Sequence, residues 1–400
     1  MPTKYLVLRT DVDIPRDFAL SEPNSWQKKG GANPSELMVE TIDGHETDAG
    51  ELRADPKNAA VMDADALFSL IVPRARSTSD MTILKKTGTL RMPEGLLAVK
   101  ADTSPFSGQG VTVAVLDTGI DETHPAFTGK QLAMRDFTGE GTTDKDVSDH
   151  DGHGTHCAGT ICGTVVDDIR VGVAPGVTKL CIGKVLGENG GSLEMLLKGM
   201  YWAVFEENAT VVSMSLGYDL PGNTKRLINQ HGIDERLATQ YAMNQQRDII
   251  KGITTLHAFL KTQSNNVVFV AATGNESERP NFSLDASLPA AELFSVGAVG
   301  LLDNRWKVAS FSNARAQIVA PGVDVVSAAV GGGWATMSGT SMATPHVAGV
   351  AALWVEKLRK DGALIVPEAL LSALKTNTVR QLLIDRDVND IGAGMVQAPM

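Results

Sequence analysis

Three short apolar runs constrain the fold more than anything else in the chain: VTVAVL (111–116), NATVVSMSL (208–216) and NNVVFVAA (265–272). Each suits one strand, and none has the polar alternation of a strand with one face in water. Runs of this kind are buried on both faces, as in a parallel sheet between helical layers. SLEMLLKGMYWAVFEEN (192–208) has helical spacing instead. Strands alternating with helices predict α/β layers. A 400-residue chain that is 43% hydrophobic has room for one large domain or two smaller ones.

Residues 1–72 read as a small α/β unit. Tyr5 to Leu8 suits a strand, Pro34-Ser35-Glu36-Leu37 a helix start, and Asn58 to Met62 a second strand after Asp55-Pro56. Residues 73–93 (PRARSTSDMTILKKTGTLRMP) read as a linker. The opening MPTKYLVLRTDVDIP is a short apolar patch broken by Arg9 and Asp11, too short for a signal-peptide core, and no run of 18 apolar residues occurs. The expectation is a cytoplasmic protein without a membrane partner, with secretion as the alternative if a signal segment was trimmed. A net charge of −11 argues against nucleic acid as a partner. Cys157, Cys162 and Cys181 cannot all pair with one another, so no disulfide framework is expected.

The chemistry concentrates in four stretches. VAVLDTGIDETHP (113–125) puts Asp117 after an apolar strand. It could be half of an aspartic dyad, the orienting acid of a serine triad, or a strand-end turn. A dyad needs two such loops and the chain has one. DHDGHGTHCAGT (149–160) spaces His150, His153 and His156 by three, which suggests zinc, but Gly152 and Gly154 oppose the helix that would align them. The glycines suit a histidine held at a helix start. SGTSMATPHVAGVAALWVEKL (338–358) sets Ser341 at the start of an apolar helix, where free N–H groups favour developing negative charge, though a plain N-cap reads the same way. VVFVAATGNESE (267–278) brings Asn275 to a strand end, as a turn residue or as an amide donor to an oxyanion.

Taken in order, VAVLDTGID, DGHGTHCAGT, AATGNE and GTSMATPHVAG resemble the four signature segments of the subtilisin-like serine proteases, a resemblance running from about Gly95 to Ala398. It implies a three-layer α/β fold with a central, mostly parallel sheet over 94–400, preceded by a small α+β ferredoxin-like pro-domain (1–72) that assists folding and inhibits. The 73–93 linker would hold the maturation cut. It implies a serine endopeptidase with Ser341 as nucleophile, His153 as base, Asp117 as orienting acid and Asn275 as oxyanion donor, while His156 is structural. Ser215, Leu216 and Gly217 match one substrate-pairing edge, and Gly190, Gly191 and Ser192 the other. Ala271 to Gly274 match the pocket for the residue before the cut, with an apolar preference. The implied partners are protein substrates and the chain's own pro-domain.

The chain also departs from that pattern. A structural calcium site common in such proteins maps to Val166 and Ala126, which offer no side-chain oxygen, so no metal or other cofactor is expected there. Asp144, Asp146, Asp149 and Asp151 could hold another cation, although a solvated acidic loop is the favoured reading. The segment at about 218–265 is longer than in compact relatives and carries an amphipathic pattern (Ile249, Ile253, Leu256, Leu260). An extra surface helix is favoured there over a lid or a partner surface. Cys157 next to His156 reads as a core residue or as a site of mercurial sensitivity. A catalytically silent binding module and a dedicated processing protease are the competing functions.

Overall fold

The computed structural model describes residues 3–11, 36–44, 48–64, 67–78, 84–263 and 266–400. The chain divides into two compact units, one made of 1–69, 190–201 and 218–265, the other of 70–189, 202–217 and 266–400.

In the first unit, β1 (Thr3–Thr10) lies between β2 (Leu37–Gly44) and β3 (Asn58–Asp63), antiparallel to both. Tyr5, Val7 and Val61 are buried on one face, and Leu6, Leu8 and Met62 on the other. The helix start expected at Glu36-Leu37 is the beginning of β2 instead, while Pro34 and Ser35 lie outside the described residues. The β-branched Val39, Thr41 and Ile42, with a partner strand alongside, outweigh the local helix signal.

The amphipathic stripe falls on a 28-residue helix, Glu235–Thr262. Ile249, Ile253, Leu256 and Leu260 are all buried, so this helix is a central packing element of its unit rather than an addition to the surface. At Gly252 it comes so close that a Cβ would stand 2.8 Å from Met62 Sδ on β3 and 3.1 Å from Leu197 on the Leu193–Tyr201 helix. A glycine permits that approach. The Leu220–His231 helix packs against the long helix through Leu227, Ala238 and Ala242. Gly191-Ser192 pairs antiparallel with Phe68-Leu67 on β4 (Leu67–Leu70).

The second unit is built on a ten-stranded sheet. The linker expectation fails in part: β5 (Ala75–Thr78) pairs antiparallel with a later strand, and Lys85–Thr87 with Leu90–Met92. Residues 79–83 lie outside the described residues. The sheet's central strands are β6 (Thr112–Asp117), β7 (Gln131–Asp136), β8 (Lys179–Lys184), β9 (Val211–Met214) and β10 (Val268–Ala272). They run parallel in the order β7-β8-β6-β9-β10. The three apolar runs are thus β6, β9 and β10, side by side, with Val113, Val211 and Val270 fully buried. β11 (Phe294–Leu302) and β12 (Ile318–Pro321) extend the parallel run. Beside the sheet, β13 (Val325–Ala328) pairs with β14 (Trp334–Ser338), which takes β5 on its other edge.

Two helices matter most for the site: His153–Cys162, here the histidine helix, and Thr340–Lys360, the serine helix. Both contribute to one apolar core with β6 and β10. After β6 the chain places β7 and β8 to one side and β9 onward to the other. The carboxyl end of β6 is therefore a topological switch point, where α/β sheets leave a crevice.

Candidate active site

Asp117 is the last residue of β6 and stands at that switch point. Two glycines bring the histidine helix onto it. Gly119 has a positive φ of 119°, and a Cβ there would meet Val147 O at 2.1 Å. A Cβ on Gly154, in the first turn of the histidine helix, would meet Gly119 O at 2.2 Å. Neither position has room for a side chain. The helix can therefore start against the β6 turn, with His153 as its first residue.

His153 and Asp117 are buried, and Nδ1 of the imidazole lies 2.7 Å from Asp117 Oδ1. Burial opposes charge on His153, but the adjacent Asp117 carboxylate outweighs it and raises the imidazole well above its ordinary value. Cys157 Sγ sits 3.8 Å from the same Nδ1, with its thiol pushed up by burial. Asp117 Oδ1 also accepts from the Thr118 N–H at 2.8 Å. The three histidines do not converge: His150 is exposed, and His156 Nε2 lies 3.0 Å from Val325 O. Burial lowers His156 to about 3, which fits a neutral structural ring.

Ser341 is the second residue of the serine helix, following an extended Gly339. Its hydroxyl donates to the carbonyl of Ile71 at 3.1 Å. Asn275 follows β10, and its orientation is set by Thr340, whose N–H and hydroxyl both donate to Asn275 Oδ1 at 2.9 and 3.0 Å. The amide nitrogen is left to donate to the carbonyl of Val72, 3.0 Å away. Ser341 Oγ and Asn275 Nδ2 thus hold two successive peptide carbonyls of the chain itself. Arg74 fastens the same segment: its guanidinium donates to Asn275 O and its N–H to Ser338 O. Among the described residues, His153 Nε2 has no hydrogen-bond partner.

Ser215 and Leu216 are buried, and the Ser215 hydroxyl donates to Ser341 O at 3.1 Å. A Cβ on Gly217 would stand 3.1 Å from Ile71 Cγ1, so that glycine leaves room for the Ile71 side chain. Ala271 and Ala272 end β10 and are fully buried, with Thr273 and Gly274 next. Gly190, Gly191 and Ser192 belong to the other compact unit, where Gly191 and Ser192 pair with β4. Around the expected calcium positions, Ala126 O accepts from Thr164 N–H and hydroxyl at 2.8 and 3.0 Å, and Val166 exchanges backbone bonds with Ile169. The acidic loop is largely self-satisfied: Thr142 and Ser148 donate to Asp146, whose carboxyl the Thr142 N–H and these hydroxyls hold below its usual range. Thr118 and Thr340 carry no functional signal of their own in the sequence, and Asp149 reads there only as one acid of a loop, because their contacts are ones that no motif spells out.

The subtilase family model matches residues 108–394. An intracellular serine protease of Paenibacillus polymyxa is 35% identical over 269 residues, 66% of this chain and 72% of its own. The major intracellular serine protease of Bacillus subtilis is 33% identical over 271 residues, 66% of this chain and 74% of its own. The alkaline elastase YaB of a Bacillus species is 34% identical over 307 residues, 76% and 68% respectively. Among the described residues no helix is long and apolar enough to cross a membrane. With most of its length matched, this chain belongs to the subtilase family and is a serine endopeptidase acting on proteins or peptides.

Proposed function

We propose that Asp117, His153 and Ser341 form the catalytic triad, and that residues before about 79 hold the enzyme in check until they are cut away. The observation that carries both halves is the pair of peptide carbonyls at Ser341 Oγ and Asn275 Nδ2. In a substrate complex Ser341 Oγ attacks the scissile carbonyl carbon while His153 Nε2 takes its proton. The C–N bond breaks as His153 returns that proton to the leaving amine. Water, activated by His153, then hydrolyses the acyl-enzyme. Asp117 holds the imidazole tautomer and stabilises the imidazolium, which keeps the free base form to the alkaline side of the usual histidine range. Asn275 Nδ2 and the Ser341 N–H receive the oxyanion. The Ser215–Gly217 edge pairs with an extended substrate backbone. This reading is tested by activity on casein or a mixed peptide library, abolished by Ser341→Ala; a folded protein inert on every substrate would leave a silent binding module.

The segment at Ile71–Arg74 lies against the proposed nucleophile and oxyanion donor. The Ser341 hydroxyl addresses Ile71 O while Asn275 addresses the next carbonyl, so the chain's own peptide groups occupy both the proposed nucleophile and the proposed oxyanion donor. The serine hydroxyl also bonds Ile71 O, while His153 Nε2 has no hydrogen-bond partner among the described residues. Both features support an inhibitory N-terminal region, processed by the enzyme itself. The word intracellular in the names of two relatives supports action inside the cell.

Asn275→Ala is expected to lower kcat by about 10²–10³-fold with KM nearly unchanged, the size of the loss when a subtilisin is stripped of its oxyanion-hole asparagine. Steady-state kinetics check it; a large KM rise at constant kcat would make Asn275 a substrate-binding group. None of the proposed steps uses a metal. Treatment with EDTA is therefore expected to leave most activity at moderate temperature, and rapid inactivation reversed by calcium would contradict this.

A further inference from the structure

Asp149 is buried, with 5% of its surface exposed, and it lies outside the triad. Its carboxylate is nevertheless among the most heavily used acceptors in the molecule. Oδ1 accepts from the Thr118 hydroxyl (2.9 Å) and the Asp151 and Gly152 N–H groups (3.1 and 2.9 Å). Oδ2 accepts from the N–H and hydroxyl of Thr155 at 2.8 and 2.6 Å. Thr118 in turn accepts from the Gly154 N–H at 3.0 Å while its own N–H donates to Asp117.

These bonds solve a specific problem. The histidine helix begins after Gly152, which has no side chain to cap it. The N–H groups of its second and third residues, Gly154 and Thr155, would be left unpaired in a buried place. Thr118 takes the first and Asp149 the second. The capping groups therefore come from the turn after β6 and the loop before the helix, and they join the two. Since Asp117 ends β6 and His153 begins the helix, the same bonds set where acid and base stand.

We propose that Thr118 and Asp149 are positioning residues for catalysis, a clamp that fixes the Asp117–His153 pair by bonding the β6 turn to the first turn of the histidine helix. The proposal rests on reading Asp117 and His153 as the catalytic pair. Neither residue touches substrate in this role. Their loss should therefore appear in kcat and leave KM alone.

The sharpest test is a pair of substitutions at Thr118. Thr118→Val keeps shape and backbone but removes the donor to Asp149 and the acceptor for Gly154. Thr118→Ser keeps both. Misplacing the imidazole slightly costs up to about 10²-fold, so Thr118→Val should lose kcat on that order with KM nearly unchanged, and Thr118→Ser should recover most of it. Asp149→Asn, which turns one acceptor into a donor facing donors, should lose at least as much; if it does not fold, the Thr118 pair still decides. Equal kcat for folded Thr118→Val and wild type would overturn the clamp. So would a loss matched by the fraction unfolded, or one that serine does not rescue. Fluorophosphonate labelling of wild-type Ser341 separates the two levels: absent labelling means the triad reading fails, whereas normal labelling with an unaffected Thr118→Val means only the clamp does.

Discussion

Alanine at position 341 is expected to reduce kcat by about 10⁶-fold, the size of the loss when a subtilisin is deprived of its nucleophilic serine. The physical reason is specific to one atom. Ser341 Oγ is the hydroxyl placed at the serine-helix N-terminus beside a peptide carbonyl, so its removal ends the acyl-enzyme route altogether. Residual turnover would come from binding and from the Asn275 donor. Folding should be nearly unaffected, because the hydroxyl contributes one neutral hydrogen bond, worth about 1 kcal/mol net. Covalent labelling by a fluorophosphonate, together with a thermal unfolding scan, checks both halves. A folded Ser341→Ala protein that still labels would remove Ser341 from its role.

The second large effect concerns the N-terminal segment. Full-length wild type should start slowly on a short peptide, speed up as it trims itself, and lose roughly its first 79–93 residues, the stretch beyond the β5 pairing. Arg74→Ala removes charge-assisted bonds to Asn275 O, each worth about 1.5–3 kcal/mol. Initial activity should rise about tenfold or more, since about 1.4 kcal/mol corresponds to a factor of ten in release. Ile71→Asp should act in the same direction by burying an unpaired carboxylate beside Gly217. Ser341→Ala should stay full length throughout. Mass spectrometry alongside progress curves decides it. If uncut wild type is already fully active and neither substitution changes the initial rate, the segment is an accessory rather than an inhibitor.

What the sequence makes legible is whatever the chain keeps contiguous. VTVAVL ends beside Asp117 and is a buried parallel strand because every residue needed to say so lies within it. His153 and Ser341 stand at the heads of their helices for the same reason, and their glycine neighbours announce the close backbone approach. Apart from the short Lys85–Met92 hairpin, the failures involve partners far away in the chain. Pro34, Ser35 and Glu36 signal a helix start locally, whereas β2 is decided by β1, some thirty positions earlier. The stripe on the long helix is visible in the sequence, but not that its glycine faces Met62, a residue from the other end of its unit. Asp149 reads as one acid of an acidic loop. Only the folded chain gathers five donors on it.

Thr340 carries a consequence beyond its place next to the proposed nucleophile. By donating twice to Asn275 Oδ1, it decides which end of a carboxamide faces the carbonyl of Val72 and, in the proposed mechanism, the carbonyl of a substrate. The two ends of that group have opposite polarity: one would attract a negative oxygen, the other repel it. A carboxamide free to rotate could satisfy a neutral carbonyl only half the time, and turned the wrong way it would set lone pair against lone pair as charge developed. In the proposed mechanism one threonine thus acts on the bond from both sides, through the serine that follows it and through an amide 65 residues earlier in the chain.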